Sequence, residues 1–419
     1  MYKFAHIADT HLGANRHPAL EPIEAAVFNK VMDKCIEEKV DFILICGDLF
    51  HTGIPDMSVV KNCVRKLKNV SDHEIPVYVI FGSHDYNPNT DSIVDVLDSA
   101  GLIKNIVVGT ESEEGKIRLK FVVDKKTGAK ITGIHARKGG VEKIYYENLE
   151  RESLEKEPGF KIFCLHTGLS EFKPAHMASM ETIPISFLPK NFSYYAGGHI
   201  HKHLEEKLPD YEHVVYPGPI FSGGPQDLEL SAKGEKRGFY TVSFDDKVRE
   251  IDFIEVNPCE LTFHEFDVKG KNSTQANQLL EDQIQKLDVQ GKIALIKIKG
   301  ELSGGKTSDI KASHLKSILT SNGAIFVDIN RHGLSSKEFS AVKVSGEDVP
   351  TIEKRLLREN IGAVRVSIEQ LKGEKGSALS ERLLKAFRIE VKEGESKRAY
   401  NSRMLEEGLN CLGIKEAFR

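Results

Sequence analysis

Along the first 250 or so positions, short apolar runs alternate with segments carrying a helical stripe, a rhythm that predicts a layered α/β domain. Residues 2–8 read as a strand. The segment 23–39 sets Val27, Phe28, Val31, Met32, Cys35 and Ile36 at helical spacing, and residues 42–46, Phe-Ile-Leu-Ile-Cys, follow as a buried strand. The strand, helix, strand unit then repeats, with Val59, Val60, Cys63, Val64 and Leu67 as the helix stripe and 77–81 as the strand. Further strands are expected at 162–165 and 193–196. The more polar stretch 109–140 reads as hairpins or excursions.

After Pro258 the pattern changes. Ala276, Leu279, Leu280, Ile284 and Leu287 form a helix stripe, followed by an apolar strand at 293–298, a helix around 315–319 and a strand at 324–329, a smaller α+β unit. From about residue 349 the chain is charged and reads as helical, ending in two amphipathic segments near 379–387 and 400–412. The expected domains are therefore 1–255, 260–345 and 346–419, with terminal helices at 377–388 and 398–412.

Composition narrows the function classes. A chain of 419 residues, 40% hydrophobic and 29% charged, should fold along most of its length into two or three domains. Its net charge of −4 argues against holding nucleic acid by bulk electrostatics, so any such contact must be local or carried by bound cations. The six cysteines, Cys35, Cys46, Cys63, Cys164, Cys259 and Cys411, show no C-x-x-C pair and read as reduced, mostly buried thiols of a cytoplasmic protein. No apolar run has signal-peptide or membrane-spanning character, and the expectation is a protein neither secreted nor inserted.

The chemistry sits at the strand ends. Asp9-Thr10-His11, Gly47-Asp48, Gly82-Ser83-His84-Asp85, His166 and Gly198-His199-Ile200-His201 each follow a predicted strand. One strand-terminal Asp or His is ordinarily a turn cap; five such clusters are poorly explained that way. In open α/β sheets ligands bind outside the carboxyl ends of strands, so the five loops can converge on one site. Imidazoles with carboxylates suit manganese, iron or zinc better than magnesium. Two such cations roughly 3.5–4 Å apart would bind a phosphate and activate a water. The glycines before Asp48, Ser83 and His199 fit turns where backbone must approach closely.

These clusters resemble the series Asp-x-His, Gly-Asp, Gly-Asn-His-Asp, His and Gly-His-x-His, the signature of the calcineurin-like metallophosphoesterases, with Ser83 at the Asn position. That resemblance implies two packed mixed sheets flanked by helices. Within the superfamily the chain is most similar to the Mre-eleven/SbcD nucleases of DNA double-strand-break repair, as an archaeal-type member. The narrower match rests on HIADTHLG at the start, GDLFHTGIP from Gly47, Gly198-His-Ile-His-Lys202, Tyr216-Pro-Gly218 and Lys236-Arg-Gly-Phe-Tyr240. The later Lys299-Gly-Glu-Leu-Ser-Gly resembles the family's DNA-contacting capping domain.

Residue by residue, the resemblance implies Asp9, His11, Asp48 and His201 around one metal, with Asp48 bridging, and His166 and His199 on the other. His84 would donate a hydrogen bond or proton to the leaving oxygen, Asp85 would orient its ring, and His51 would contact phosphate. Ser83 replaces the family's Asn ligand, so the second site is expected to be weaker or to prefer another metal. Pro219 replaces a Ser that commonly follows Tyr-Pro-Gly. His17, His135, His203 and His213 match no motif and read as surface or structural. The implied cofactors are two divalent ions, manganese foremost. The implied partners are DNA ends, a second copy of the chain, and an SMC-like ATPase of the Rad-fifty/SbcC type docking on the terminal helices. Lys269, Lys271, Lys306, Lys311 and Lys316 recur, but they read as solvated faces, and the sequence marks no DNA-contacting residue. The implied activities are 3′ to 5′ exonuclease on duplex ends and endonuclease on single strands. Two rival readings share the ligand set: a phosphoesterase of small phosphodiesters, and a DNA-end scaffold with a degraded second metal site.

Overall fold

In the computed structural model, which describes residues 1–86, 91–111, 115–137, 142–173, 181–337, 353, 357, 373–392 and 395–413, the period-two alternation of the strands sets the layers. Three strands, β1 (Tyr2–Ile7), β2 (Phe42–Cys46) and β3 (Val77–Ile80), run parallel at the heart of a six-stranded mixed sheet. Ala5, Ile7, Ile43, Ile45, Val77 and Val79 face the helices α1 (Glu21–Glu37) and α2 (Met57–Asp72). Phe4, Phe42, Leu44, Cys46, Tyr78 and Ile80 point the other way, into a second sheet. Each Val, Leu, Ile or Phe among them, fully buried, contributes about 1.5–3 kcal/mol relative to exposure.

The second sheet is also six-stranded and mixed. Its parallel strands Lys130–Ile134, Lys161–His166 and Tyr194–Gly198 pair in register, with Gly198 opposite His166. Ile162, Cys164, Tyr194 and Ala196 meet the first sheet, while Phe163, Leu165, Tyr195 and Tyr216 face a separate core with Tyr146, Leu154 and Leu188. The result is the expected α/β class: two packed mixed sheets, each covered on its outer face. The strand expected at 193–196 is longer, Tyr194–Gly198.

The polar stretch 109–140 holds more than excursions. Val108–Glu111 and Ile117–Lys120 do form an antiparallel pair, but Lys130–Ile134 is an interior strand with four of its five residues buried. Its Gly133 and Lys130 dilute the apolar signal. Gly133 is there for space: a Cβ would lie 2.3 Å from the Cys164 carbonyl oxygen.

Helix α1 starts with Pro22 in its first turn, and Glu24 is buried to accept hydrogen bonds from Gly13 N at 2.5 Å and Asn15 N at 3.0 Å. Helix α2 is capped by Asp56, which accepts from Ser58 N at 2.8 Å. Further on, Leu261–Asp267, Ile293–Leu302 and Phe326–Ser336 form a parallel sheet joined by the helices Ser273–Ile284 and Ala312–Ser321, with its own core of Leu280, Ile284, Ile296, Leu315 and Leu319.

The chain divides into two compact units, Met1–Glu338 and Phe339–Arg419. In the second, helices Gly373–Ala386 and Lys397–Leu412 pack on each other. Most of 346–372, expected to be helical, lies outside the described residues. No described helix is long and apolar enough to cross a membrane.

Candidate metal centre

The loops after β1, β2 and β3 and after the strands Lys161–His166 and Tyr194–Gly198 meet on one rim. Asp9, His11, Asp48 and His199 have φ of 51°, 43°, 53° and 85°, the left-handed region that non-glycine residues rarely enter. Such backbone costs of order 1–3 kcal/mol per residue and persists only where its surroundings fix it. Here Asp9 N donates to Gly47 O at 3.1 Å, His11 N to Asp48 O at 2.9 Å, and His199 N to both Asp9 carboxylate oxygens at 3.0 Å.

Among the described residues three groups of donors result, each with its ligand atoms within 4.8 Å: Asp9, His11 and His201; Asp9, Asp48 and His166; and His11, His51 and His84. The His166 Nε2 lies 3.2 Å from Asp48 Oδ2 and 3.9 Å from Asp9 Oδ1, and His201 Nε2 lies 3.8 Å from Asp9 Oδ1. His11 Nε2 is 3.6 Å from Asp48 Oδ2 and 3.2 Å from His201 Nε2.

The outer hydrogen bonds decide which nitrogens are bare. His166 Nδ1 lies 2.8 Å from the Cys46 carbonyl, which can only accept, so Nδ1 carries the proton and the neutral ring offers its Nε2 lone pair. His201 Nδ1 is likewise bound to Asp227 Oδ2 at 2.9 Å. Among the described residues, His166 Nε2, His11 Nδ1 and His51 Nδ1 are buried without a hydrogen-bond partner.

Electrostatics agree. Burial pushes the Asp9 carboxyl up, only partly countered by His166 and His201. Burial acts on Asp48 the same way, but His166 and then His11 hold it well below the usual carboxylate range. Burial alone would lower His166; Asp48 and Asp9 instead raise it to about 10, while burial takes His11 down to about 3. Two buried carboxylates thus demand positive charge, and the orphaned His166 Nε2 faces them. That donor set fits divalent cations of borderline softness.

Residues 2–203 match the family model of the calcineurin-like phosphoesterases. Curated relatives named DNA double-strand break repair protein Mre11 also match, two of the following three over more of the chain. The one from Archaeoglobus fulgidus is 26% identical over 340 residues, 75% of this chain and 72% of its own. That of Sulfolobus acidocaldarius is 27% identical over 67% of this chain and 69% of its own, and that of Sulfurisphaera tokodaii 34% identical over 47% and 48%. The chain resembles the Mre-eleven family. The matched phosphoesterase family is one of hydrolases that use a dinuclear metal site, and this chain carries candidate ligands for one.

Not every expected residue lies where the sequence suggested. His199 is in none of the three groups; its ring centre is 5.4 Å from that of His166, and burial, then His166, lowers its imidazole to about 4. Ser83 sits half-buried on the loop that carries His84. His51 stacks on His84 at 4.8 Å, and its carbonyl lies 2.8 Å from His84 Nδ1.

Asp85 corrects the expectation that it orients the His84 ring. Its carboxylate accepts from the backbone N–H groups of Leu49, Phe50 and Gly82 at 3.2, 3.0 and 3.0 Å, because the β2 and β3 loops leave those donors buried. Burial, with the Asp48 charge behind it, raises Asp85 to about 7. The group that orients His84 is the His51 carbonyl.

Asp227 and Glu24 were missed. Each lies in a helix, outside any motif, so nothing in its sequence neighbourhood marks it. The other unmatched histidines have local work: His135 accepts from Phe81 N at 2.8 Å, His203 pairs with Glu235 at 2.9 Å, His213 lies 3.4 Å from Glu205, and His17 packs on Phe326.

Proposed function

We propose that this chain is the nuclease of DNA double-strand-break repair, a manganese-dependent phosphodiesterase that trims duplex ends from the 3′ side and cuts single strands. It acts as a homodimer with a Rad-fifty/SbcC-type ATPase, in the cytoplasm at the nucleoid. The names of the relatives support the DNA substrate, and no base readout is needed for an enzyme that meets any broken end. The observation that carries the reading is His84, set against the cation-binding carboxylates with only one ring nitrogen left free.

Two bound cations would neutralise the phosphate and bring a water's pKa towards neutrality. Asp9 lies in two of the donor groups and Asp48 spans them from the other side, Oδ2 facing His166 and His11 and Oδ1 accepting from His84 N at 2.8 Å. The Asp48 loop and the His84 loop are therefore tied by a direct hydrogen bond. With Nδ1–H committed to the His51 carbonyl, Nε2 is the His84 atom that gains and loses a proton, and it donates that proton to the leaving oxygen. His51, stacked on the same ring, limits its rotation and offers its own edge to the phosphate.

The test is cleavage of end-labelled duplex and single-stranded DNA with added manganese, comparing wild type, His84→Ala and Ser83→Asn. Expected is cleavage by the wild type, a loss of about 10²- to 10⁴-fold in His84→Ala at unchanged cation binding, and tighter binding of the second cation in Ser83→Asn. Turnover of small phosphodiesters with no cut DNA would overturn the nuclease reading. DNA binding without cleavage, even with the ATPase partner and ATP present, would assign the chain to end tethering instead.

A further inference from the structure

One histidine of the centre is gripped by a helix that carries no motif, with Arg237 of the Lys236–Tyr240 run beside it. Asp227 is 5% exposed, and its Oδ2 takes both His201 Nδ1 at 2.9 Å and Gly223 N at 2.8 Å. Arg237, 4% exposed, closes the ring from the other side: its Nη1 donates to the His201 carbonyl at 2.9 Å, its Nη2 to the Asp227 carbonyl at 3.0 Å, and its Nε to Ser231 Oγ at 2.7 Å. His201 is thereby fixed at both its imidazole and its backbone. The same segment presses on a second ligand, since a Cβ on Gly223 would lie 2.8 Å from His11 Cδ2 and 2.9 Å from His201 Cε1.

Asp227 belongs to the helix Pro225–Ala232, and that helix stands on the third sheet. Its Leu228 is buried in one cluster with Ile293 and Leu295, against which Leu261 and Phe263 also pack. Lys233, just past the helix, sets its ammonium 4.2 Å from the centre of the Phe263 ring. Beside this contact a cleft of about 1110 Å³ opens between helix and sheet, lined by Gln226, Glu229, Lys233, Phe263 and Asn330, so the footing is narrow.

We infer that Asp227 is the positioning residue for His201, holding its Nε2 towards a cation shared with Asp9 and His11, and that the third sheet sets this ligand's position through the helix. This rests on the metal-centre reading above. A carboxylate behind a ligating imidazole fixes its orientation and raises its basicity. Because, among the described residues, the Asp9–His11–His201 group is the one gripped in this way, a disturbance at the Phe263 contact reaches one cation position and spares the one at Asp9, Asp48 and His166. The third sheet thus tunes metal occupancy from a distance, with no residue of its own in the centre.

The measurement is equilibrium binding of manganese to the full chain, by calorimetry and by the electron-spin signal of free manganese. Wild type is compared with His11→Ala, Asp48→Ala, Asp227→Asn, Asp227→Ala and Phe263→Ala. Two binding events are expected. Asp227→Asn keeps an acceptor for Gly223 N and His201, so it preserves the loop and removes only the charge; it weakens one event about 10-fold, and Asp227→Ala up to about 100-fold. Phe263→Ala weakens the same event about 2- to 10-fold, and His11→Ala identifies it by removing it. Unchanged binding in the Asp227 and Phe263 variants, with Asp48→Ala abolishing it, overturns this inference and leaves the metal centre standing. Equal weakening of both events with a lowered melting temperature assigns Asp227 a structural role only. No binding by the wild type overturns both readings.

Discussion

Replacing Gly198 by alanine tests whether the two sheets are clamped together at the centre. The added methyl would sit 2.0 Å from the Cys46 carbonyl oxygen and 2.7 Å from His166 Nδ1, where ordinary contact begins at 3.4 Å, so the sheets must part there by about 1.4 Å. That gap separates the two atoms of the buried His166 Nδ1 to Cys46 hydrogen bond, now 2.8 Å long. Overpacking of this kind costs about 1–3 kcal/mol, and the stranded polar group about 1–3 kcal/mol more. Together, about 2–6 kcal/mol is a large part of the 5–15 kcal/mol that holds a typical domain folded. The chain has no Trp, and Tyr194, Tyr195 and Tyr216 are fully buried in the second sheet, so tyrosine fluorescence during urea unfolding reports on this region. Manganese titration of the same variant should show weakened binding wherever His166 contributes, because its free tautomer no longer keeps Nε2 bare. Unfolding within about 0.5 kcal/mol of wild type, together with unaltered manganese binding, would refute the clamp.

Two further outcomes follow from the same geometry. In the cation-free protein Asp48 and Asp9 outweigh burial and raise His166 to about 10, and His201 is raised as well, chiefly by its bond to Asp227, so protons compete for the sites. Cation binding should release protons and weaken as pH falls, measured as binding heats that differ between buffers of different ionisation enthalpy; heats independent of buffer would contradict this. Asp85→Asn turns an amide donor towards the buried N–H groups of Leu49, Phe50 and Gly82, and it should destabilise the fold by about 2–4 kcal/mol. Loss of DNA cleavage at unchanged stability in that variant would instead restore Asp85 as the partner of the His84 ring.

The alternation of apolar residues in β1, β2 and β3, and the placement of Asp, His and Gly directly after them, were legible because both are local. A strand's two faces follow from its own pleat, and a cluster at a strand's end is carried to the sheet's rim whatever packs around it. The strand Lys130–Ile134 was not legible, because it is held in place by its neighbour Lys161–His166 and not by a strong apolar run of its own. The role of Asp85 was misread for a related reason: standing next to His84 in sequence, it faces the backbone of a loop more than thirty positions earlier. Asp227 lies 26 residues from the His201 it supports, on a helix whose place is fixed by yet another sheet. The sequence by itself determined the elements and the kinds of ligand. Which nitrogen of each histidine is bare, which carboxylate is charged, and which helix braces the site were decided by the tertiary structure, because hydrogen-bond partners and burial are properties of neighbours in space.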